Sequence, residues 1–166
     1  MQKVNYEFIM YVSVLVFFMI LIGWLNSKYN FSEGVLIGVS IWGLLHMLGG
    51  YLRVGDGVLY TYWILPFLRY DMLVHCFGFG FATLASYYIL KPSLKKEKLN
   101  LSMIIFLVLI GMGLGAFNEI VEFILVLTLP KTGVGGYNNT MWDIVFNTIG
   151  AIIAVVYIKF VKEKKF

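Results

Sequence analysis

Charge is what this chain has least of. Only 13% of its residues are charged and 60% are hydrophobic, where a soluble domain carries about 25% charge and is less than half apolar. The mean hydropathy is +0.85. Together these exclude a soluble globular domain and imply an integral membrane protein. Cysteine occurs once, at Cys76, which excludes an internal disulfide. The chain has no serine-nucleophile elbow, P-loop, zincin motif or dinucleotide fingerprint. It also lacks low-complexity tracts and internal repeats. At 166 residues it has room for one helical bundle, residues 1–166, and none for a second domain. The net charge of +4 gives no reason to expect a nucleic-acid partner, because the lysines gather in loops and at the C-terminus.

Long apolar runs are what the chain does have. Residues 6–25, 34–52, 67–90, 101–129 and 141–160 are each long enough to cross a bilayer. The sequence therefore predicts an all-α integral membrane protein, a compact bundle of five transmembrane helices. The first run follows only Lys3 and has no small-residue cleavage site after it, so it reads as a retained helix. Ser32-Glu33 offers a cap for the second helix. Residues 58–65 are aromatic but too short to span, and predict a re-entrant or interfacial piece between the second and third helices. Lys91-Pro92 and Pro130 stop the third and fourth. Gly111, Gly113 and Gly115 form a small-residue surface suited to close helix packing. Residues 131–140 are rich in Gly and Asn. Gly135 and Gly136 suggest a mobile lid over the outer end of the bundle, and Asn138-Asn139-Thr140 fits a glycosylation sequon there.

Orientation follows from the basic residues. With five spans, one side receives Lys28, Lys91, Lys95, Lys96, Lys98, Lys159, Lys162, Lys164 and Lys165, nine in all. The other receives Lys3, Arg53, Arg69 and Lys131, which is four. The richer side is expected in the cytoplasm of a cell-membrane protein, leaving the N-terminus outside and the C-terminus inside.

The fourth run contains Asn118-Glu119-Ile120-Val121-Glu122. An ionised carboxylate at membrane depth costs about 2.5–3.5 kcal/mol on insertion scales, so two of them one helical turn apart need a partner. The same topology puts His46 near the outer end of the second helix, Asp71 and His75 in the outer turns of the third, and Asp143 and Asn147 in those of the fifth. Asp71/His75 and Asp143/Asn147 are spaced i,i+4, and Glu119/Glu122 i,i+3, so each pair shares a helix face. Two imidazoles and four carboxylates form a ligand set for Zn, Fe or Mn. The four carboxylates together carry −4, which one or two divalent cations would offset. His46, Asp71, His75, Glu119, Glu122 and Asp143 are the expected ligands, with Glu119 or Glu122 free to act as general base. Asn118, Asn147 and Arg69 are expected around the ligands rather than on the metal. Plainer readings remain open: a hydrogen-bonded core histidine, a glutamate proton relay, or Asp71 and Asp143 as residues favoured at helix N-termini.

These residues carry a resemblance. The order Trp42, His46, Gly49-Gly50, then Arg69-Tyr70-Asp71-Met72-Leu73-Val74-His75 with Phe77-Gly78, then Asn118 to Phe123, then Asn139 to Asp143 with Asn147 and Gly150 resembles a family of small integral membrane proteins of unknown function. It includes the YjdF-like proteins and is distantly similar to the VanZ-like proteins. The resemblance implies a compact helical bundle and no particular reaction; the VanZ-like side hints at cell-envelope chemistry. Asn139 stands where those families commonly have Asp.

Two kinds of function remain. One is a membrane-embedded metal-dependent enzyme working at the outer leaflet on a lipid or lipid-linked substrate, a hydrolase or a carboxylate-bridged di-metal enzyme. The other is a non-enzyme: a cation or proton transporter, or a structural or regulatory protein tied together by a metal-free polar cluster. The sequence leaves the oligomeric state undetermined.

Overall fold

The computed structural model describes residues 6–94, 99–129 and 135–162. Its elements are α1 (Tyr6–Tyr29), α2 (Glu33–Tyr51), the short strands β1 (Arg53–Val54), β2 (Gly57–Val58), β3 (Trp63–Leu65) and β4 (Leu68–Arg69), then α3 (Tyr70–Leu90), α4 (Leu101–Thr128) and α5 (Tyr137–Tyr157). All five helices are long and apolar enough to cross a membrane. Large apolar side chains such as Phe17, Met19, Phe106, Phe123 and Leu127 lie bare on the outside. In water such a surface would aggregate; against lipid tails it is the expected boundary.

Local chemistry sets the helix ends. The Asn26 side-chain oxygen accepts from the Phe31 N–H at 2.9 Å, closing the α1–α2 turn through Asn30, whose φ is 49°. Ser32 occupies the N-cap of α2, but its hydroxyl makes no capping bond. Asn100 does cap α4, accepting from the Met103 N–H. The fifth helix begins at Tyr137, several residues before the expected 141, so Asn138-Asn139-Thr140 is the first turn of a helix and not part of a loop. Of the Gly-rich stretch, 131–134 lie outside the described residues.

The piece between α2 and α3 holds one short 3-10 turn, Leu59–Thr61, and no helix longer than that. It forms two small antiparallel hairpins, pairing Arg53 with Val58 and Trp63 with Arg69. Gly55 takes the positive φ of the first turn. Open strand edges leave backbone groups unpaired, which hydrocarbon does not tolerate. The exposed Tyr62, Trp63 and Phe67 suit the membrane–water boundary instead.

Helix α3 is the centre of the bundle, and its closest partner is α5. They meet backbone to backbone: a Cβ added at Gly150 would collide with the Cys76 carbonyl and sit 3.0 Å from the Gly80 nitrogen. Gly111 packs against Thr83 and Ala151, and Gly115 against Asn147, while Gly113 faces open space. Two of the three small residues on α4 therefore make the approach. The end of the bundle formed by the C-termini of α3 and α5 and the N-terminus of α4 is apolar, built on Tyr87, Leu107, Val155 and Ile158. Helix α1 buries nothing in its spanning window and lies at the edge. Gly150→Ala is expected to destabilise the protein by about 3 kcal/mol, the upper end for overpacking because the obstacle is backbone. Gly113→Ala should be neutral. Thermal unfolding of both variants in micelles checks the contrast.

Candidate functional site

The opposite end of the bundle is polar. Asp71 and His75 come from the first two turns of α3, Asp143 and Asn147 from the second and third turns of α5, and Glu119 and Glu122 from the C-terminal half of α4. Because α4 runs against α3 and α5, these stretches reach the same level. Burial is deep: Asp143 and Asn147 are 0% exposed, His75 5% and Glu119 6%.

His75 is the hub. Its Nε2 lies 3.4 Å from Asp71 Oδ1. Its Nδ1 lies 3.0 Å from Asn147 Oδ1 and 3.6 Å from Glu119 Oε1. An amide oxygen only accepts, so Asn147 fixes the proton on Nδ1. In the neutral ring Nε2 then turns its lone pair to the Asp71 carboxylate and needs a cation between them, whereas in the imidazolium Nε2 donates to Asp71 directly. Two trios bring their ligand atoms within 4.8 Å of one another: Asp71, His75 and Asp143, and His75, Glu119 and Glu122. The first lies on the Nε2 side and suits an ion, with Asn147 holding the ring from behind.

The hydrogen bonds around this centre are incomplete. Both Glu119 oxygens, Asp143 Oδ1, Asn147 Nδ2 and Arg69 Nε and Nη2 are buried without a hydrogen-bond partner among the described residues. Buried polar groups are normally satisfied, so these atoms, gathered around a single imidazole, are the ones available to water, a ligand or an ion. Glu122 is better held, accepting from Asn118 Nδ2 at 2.8 Å. Arg69 Nη2 stands 3.9 Å from Asp71 Oδ2, and its guanidinium lies 5.7 Å from the centre of the Trp63 ring.

Five of the six expected ligands thus come together, and His46 does not join them. It belongs to neither trio. Its ring packs edge-on against Tyr60 at 5.5 Å, and its carbonyl accepts from the Tyr60 hydroxyl. One turn along α2, Trp42 fills the surface over Gly78 and meets Phe79, which itself stacks on His75. His46 stays within reach of the charges of His75 and Asp71 without supplying a ligand atom to either trio.

One residue outside the expected set belongs to the site. Asn139 donates to Asp71 Oδ2 at 3.0 Å and also to Asp143 Oδ2, joining the carboxylates of α3 and α5. Its signal was the i,i+4 spacing to Asp143, hidden while 137–140 read as loop. Gly135 also acquires a role different from backbone freedom, since neither Gly135 nor Gly136 takes a positive φ. A Cβ at Gly135 would strike Asn139, whereas one at Gly136 meets nothing. Gly135→Ala is therefore expected to displace the Asn139 amide and weaken ion binding about tenfold, the low end for groups that orient ligands. Gly136→Ala should have no effect, and a metal titration of the two variants tests this.

A family profile described as "Predicted membrane protein (DUF2238)" matches residues 1–164. The chain belongs to the DUF2238 family. This agrees with the expected family of small membrane proteins. No curated protein and no solved structure matches the chain. The DUF2238 description names a membrane protein and no reaction, so what the site does must be argued from its geometry.

Proposed function

We propose that this DUF2238 protein is a metal-dependent enzyme embedded in the cell membrane, acting at the outer leaflet on a lipid or lipid-linked substrate. The observation that carries the reading is the charge count at the polar end. Asp71, Glu119, Glu122 and Asp143 bring four carboxylates around one imidazole, with Arg69 the one cationic side chain among the described residues beside them. Ionised, the set carries −4 against +1. A divalent cation between Asp71, His75 and Asp143 offsets part of the difference and gives the Nε2 lone pair its acceptor. Zn, Fe and Mn all suit imidazole with carboxylates. Such an ion, when bound, supplies Lewis acidity and an activated water.

The chain's own residues divide the remaining work. Asn147 holds the His75 tautomer. Asn139 sets the spacing of Asp71 and Asp143, and Asn118 anchors Glu122. Glu119 has two buried oxygens with no hydrogen-bond partner among the described residues, so it is the group best placed to accept a proton from a water or substrate hydroxyl in the centre. The apolar end under Thr83, built on Leu107, Val155 and Ile158, argues against a transport path, since its core holds no carboxylate or imidazole among the described residues. The test is elemental analysis of protein purified without chelator, beside ion flux into liposomes: bound metal without flux supports the enzyme, and flux without bound metal overturns it.

The outer placement rests on the basic residues, nine against four. In a Cys76→Ser background, Ser93→Cys is expected to resist a membrane-impermeant maleimide in intact cells and to react after permeabilisation. Labelling in intact cells would invert the topology.

A further inference from the structure

Between α1 and α2 lies a cavity of about 470 Å³, within the range of roughly 300–1,000 Å³ common for ligand sites. On α1 its wall runs from Val14 to Gly23, about 13 Å of helix axis. Almost every lining side chain is apolar. Ser40 is on the wall, but its hydroxyl is turned back to the Leu36 carbonyl at 2.8 Å. The other two polar linings, His46 and Asn118, lie toward one end, because α1 and α2 run antiparallel and His46 stands opposite the Val14 level. Asn118 is shared: it lines the cavity and donates to Glu122 at 2.8 Å. The polar end of the apolar cleft therefore abuts the carboxylate centre, with the Asn118 amide between them.

From this adjacency we infer that the cleft binds the hydrocarbon chain of a long-chain amphiphile whose anionic head passes Asn118 to reach the centre. The inference rests on the metal reading above, because four carboxylates would repel an anion without a bound cation. Three observations specify the occupant. The cleft lies between two membrane-spanning helices, so hydrocarbon is what surrounds it. Its length and narrow apolar wall suit one extended chain. Beside Asp71, Arg69 Nε and Nη2 are buried and lack hydrogen-bond partners among the described residues, and guanidinium is suited to phosphate and carboxylate oxygens. His46, which does not join the metal trios, stands at the junction of chain and head, where an imidazole can hydrogen-bond a linking oxygen.

Photolabelling tests this. The probe is hexadecyl phosphate with a diazirine at the chain terminus, and hexadecanol with the same diazirine is its uncharged counterpart. With metal-loaded full-length protein, the phosphate probe should label peptides around Ile22 and Val39, the end of the cleft away from His46. Gly43→Phe and Ser40→Leu, both filling the cleft, should each lower that labelling about tenfold without changing metal content. Gly113→Leu, on an open face of α4, should leave it unchanged. Arg69→Gln should weaken the phosphate probe and spare the alcohol. The two readings fail separately. A protein that binds no metal but is still labelled in the cleft by hexadecanol sinks the metal centre and the anionic head while leaving the chain site standing. A metal-loaded protein in which labelling is spread over all outward faces, or is insensitive to both filling variants, overturns the cleft. So does a cross-link from α1 to a second copy of the chain, which would make the cavity a helix-docking surface.

Discussion

Changing His75 to alanine is expected to empty the centre, lowering metal affinity by about 100-fold or more, beyond the loss typical of an outer orienting group. The size follows from the hub geometry. His75 is the one residue common to both trios, and its imidazole supplies the only nitrogen ligand either trio contains. Removing it leaves carboxylates alone, which repel one another and bind a borderline cation such as zinc less well than a mixed nitrogen and oxygen set. Asn147→Ala provides the graded comparison. It keeps every ligand and frees the ring and its tautomer, so affinity should fall about 10- to 100-fold. If His75→Ala retained full metal content while Asn147→Ala lost it, the hub assignment would be wrong. The apolar end of the bundle is far from both substitutions, so each variant should elute as a folded protein.

The second large effect is a reversal of sign. Glu119→Gln is expected to stabilise the metal-free protein by up to about 2.5–3.5 kcal/mol, the cost of an ionised carboxylate at membrane depth, which the neutral amide does not carry. The same substitution should destabilise the metal-loaded protein relative to wild type, because it removes a charge that the cation offsets. Glu119 is 6% exposed and has no hydrogen-bond partner for either oxygen among the described residues, so in the absence of a cation its ionised form has the His75 ring, 3.6 Å away, as its one close compensating group. Unfolding midpoints in micelles, with chelator and with added zinc or manganese, measure the crossover. Glu122→Gln should show a smaller version, since Asn118 already donates to that carboxylate. Parallel shifts with and without metal would show that Glu119 is an ordinary buried acid unrelated to an ion.

Much of the bundle was legible in the sequence because hydrocarbon leaves few options. Five apolar runs of spanning length become five helices, and only their ends moved, most of all at α5, where Tyr137 to Thr140 lacked the apolar character that marked the rest. The hairpins after α2 were not legible, because two-residue strands carry no period to read. Within the site, i,i+3 and i,i+4 spacings placed each pair correctly on its own helix, and depth matching brought Asp71, His75, Glu119, Glu122 and Asp143 to one end. Depth matching brought His46 within reach of the charges of His75 and Asp71 but not into either trio, because depth along the membrane says nothing of the lateral distance between helices. Asn139 was passed over because an amide reads as a weaker ligand than an acid; its place between two carboxylates depends on a helix start that the Gly-rich loop hid.

The most direct measurement is metal-edge anomalous scattering on crystals of protein purified without chelator. The account predicts a peak with Asp71, His75 and Asp143 donor atoms about 2.0–2.2 Å away, and the His75 contact through Nε2 while Nδ1 faces Asn147. A centre with no anomalous signal, holding only protons and water between those same side chains, would contradict it.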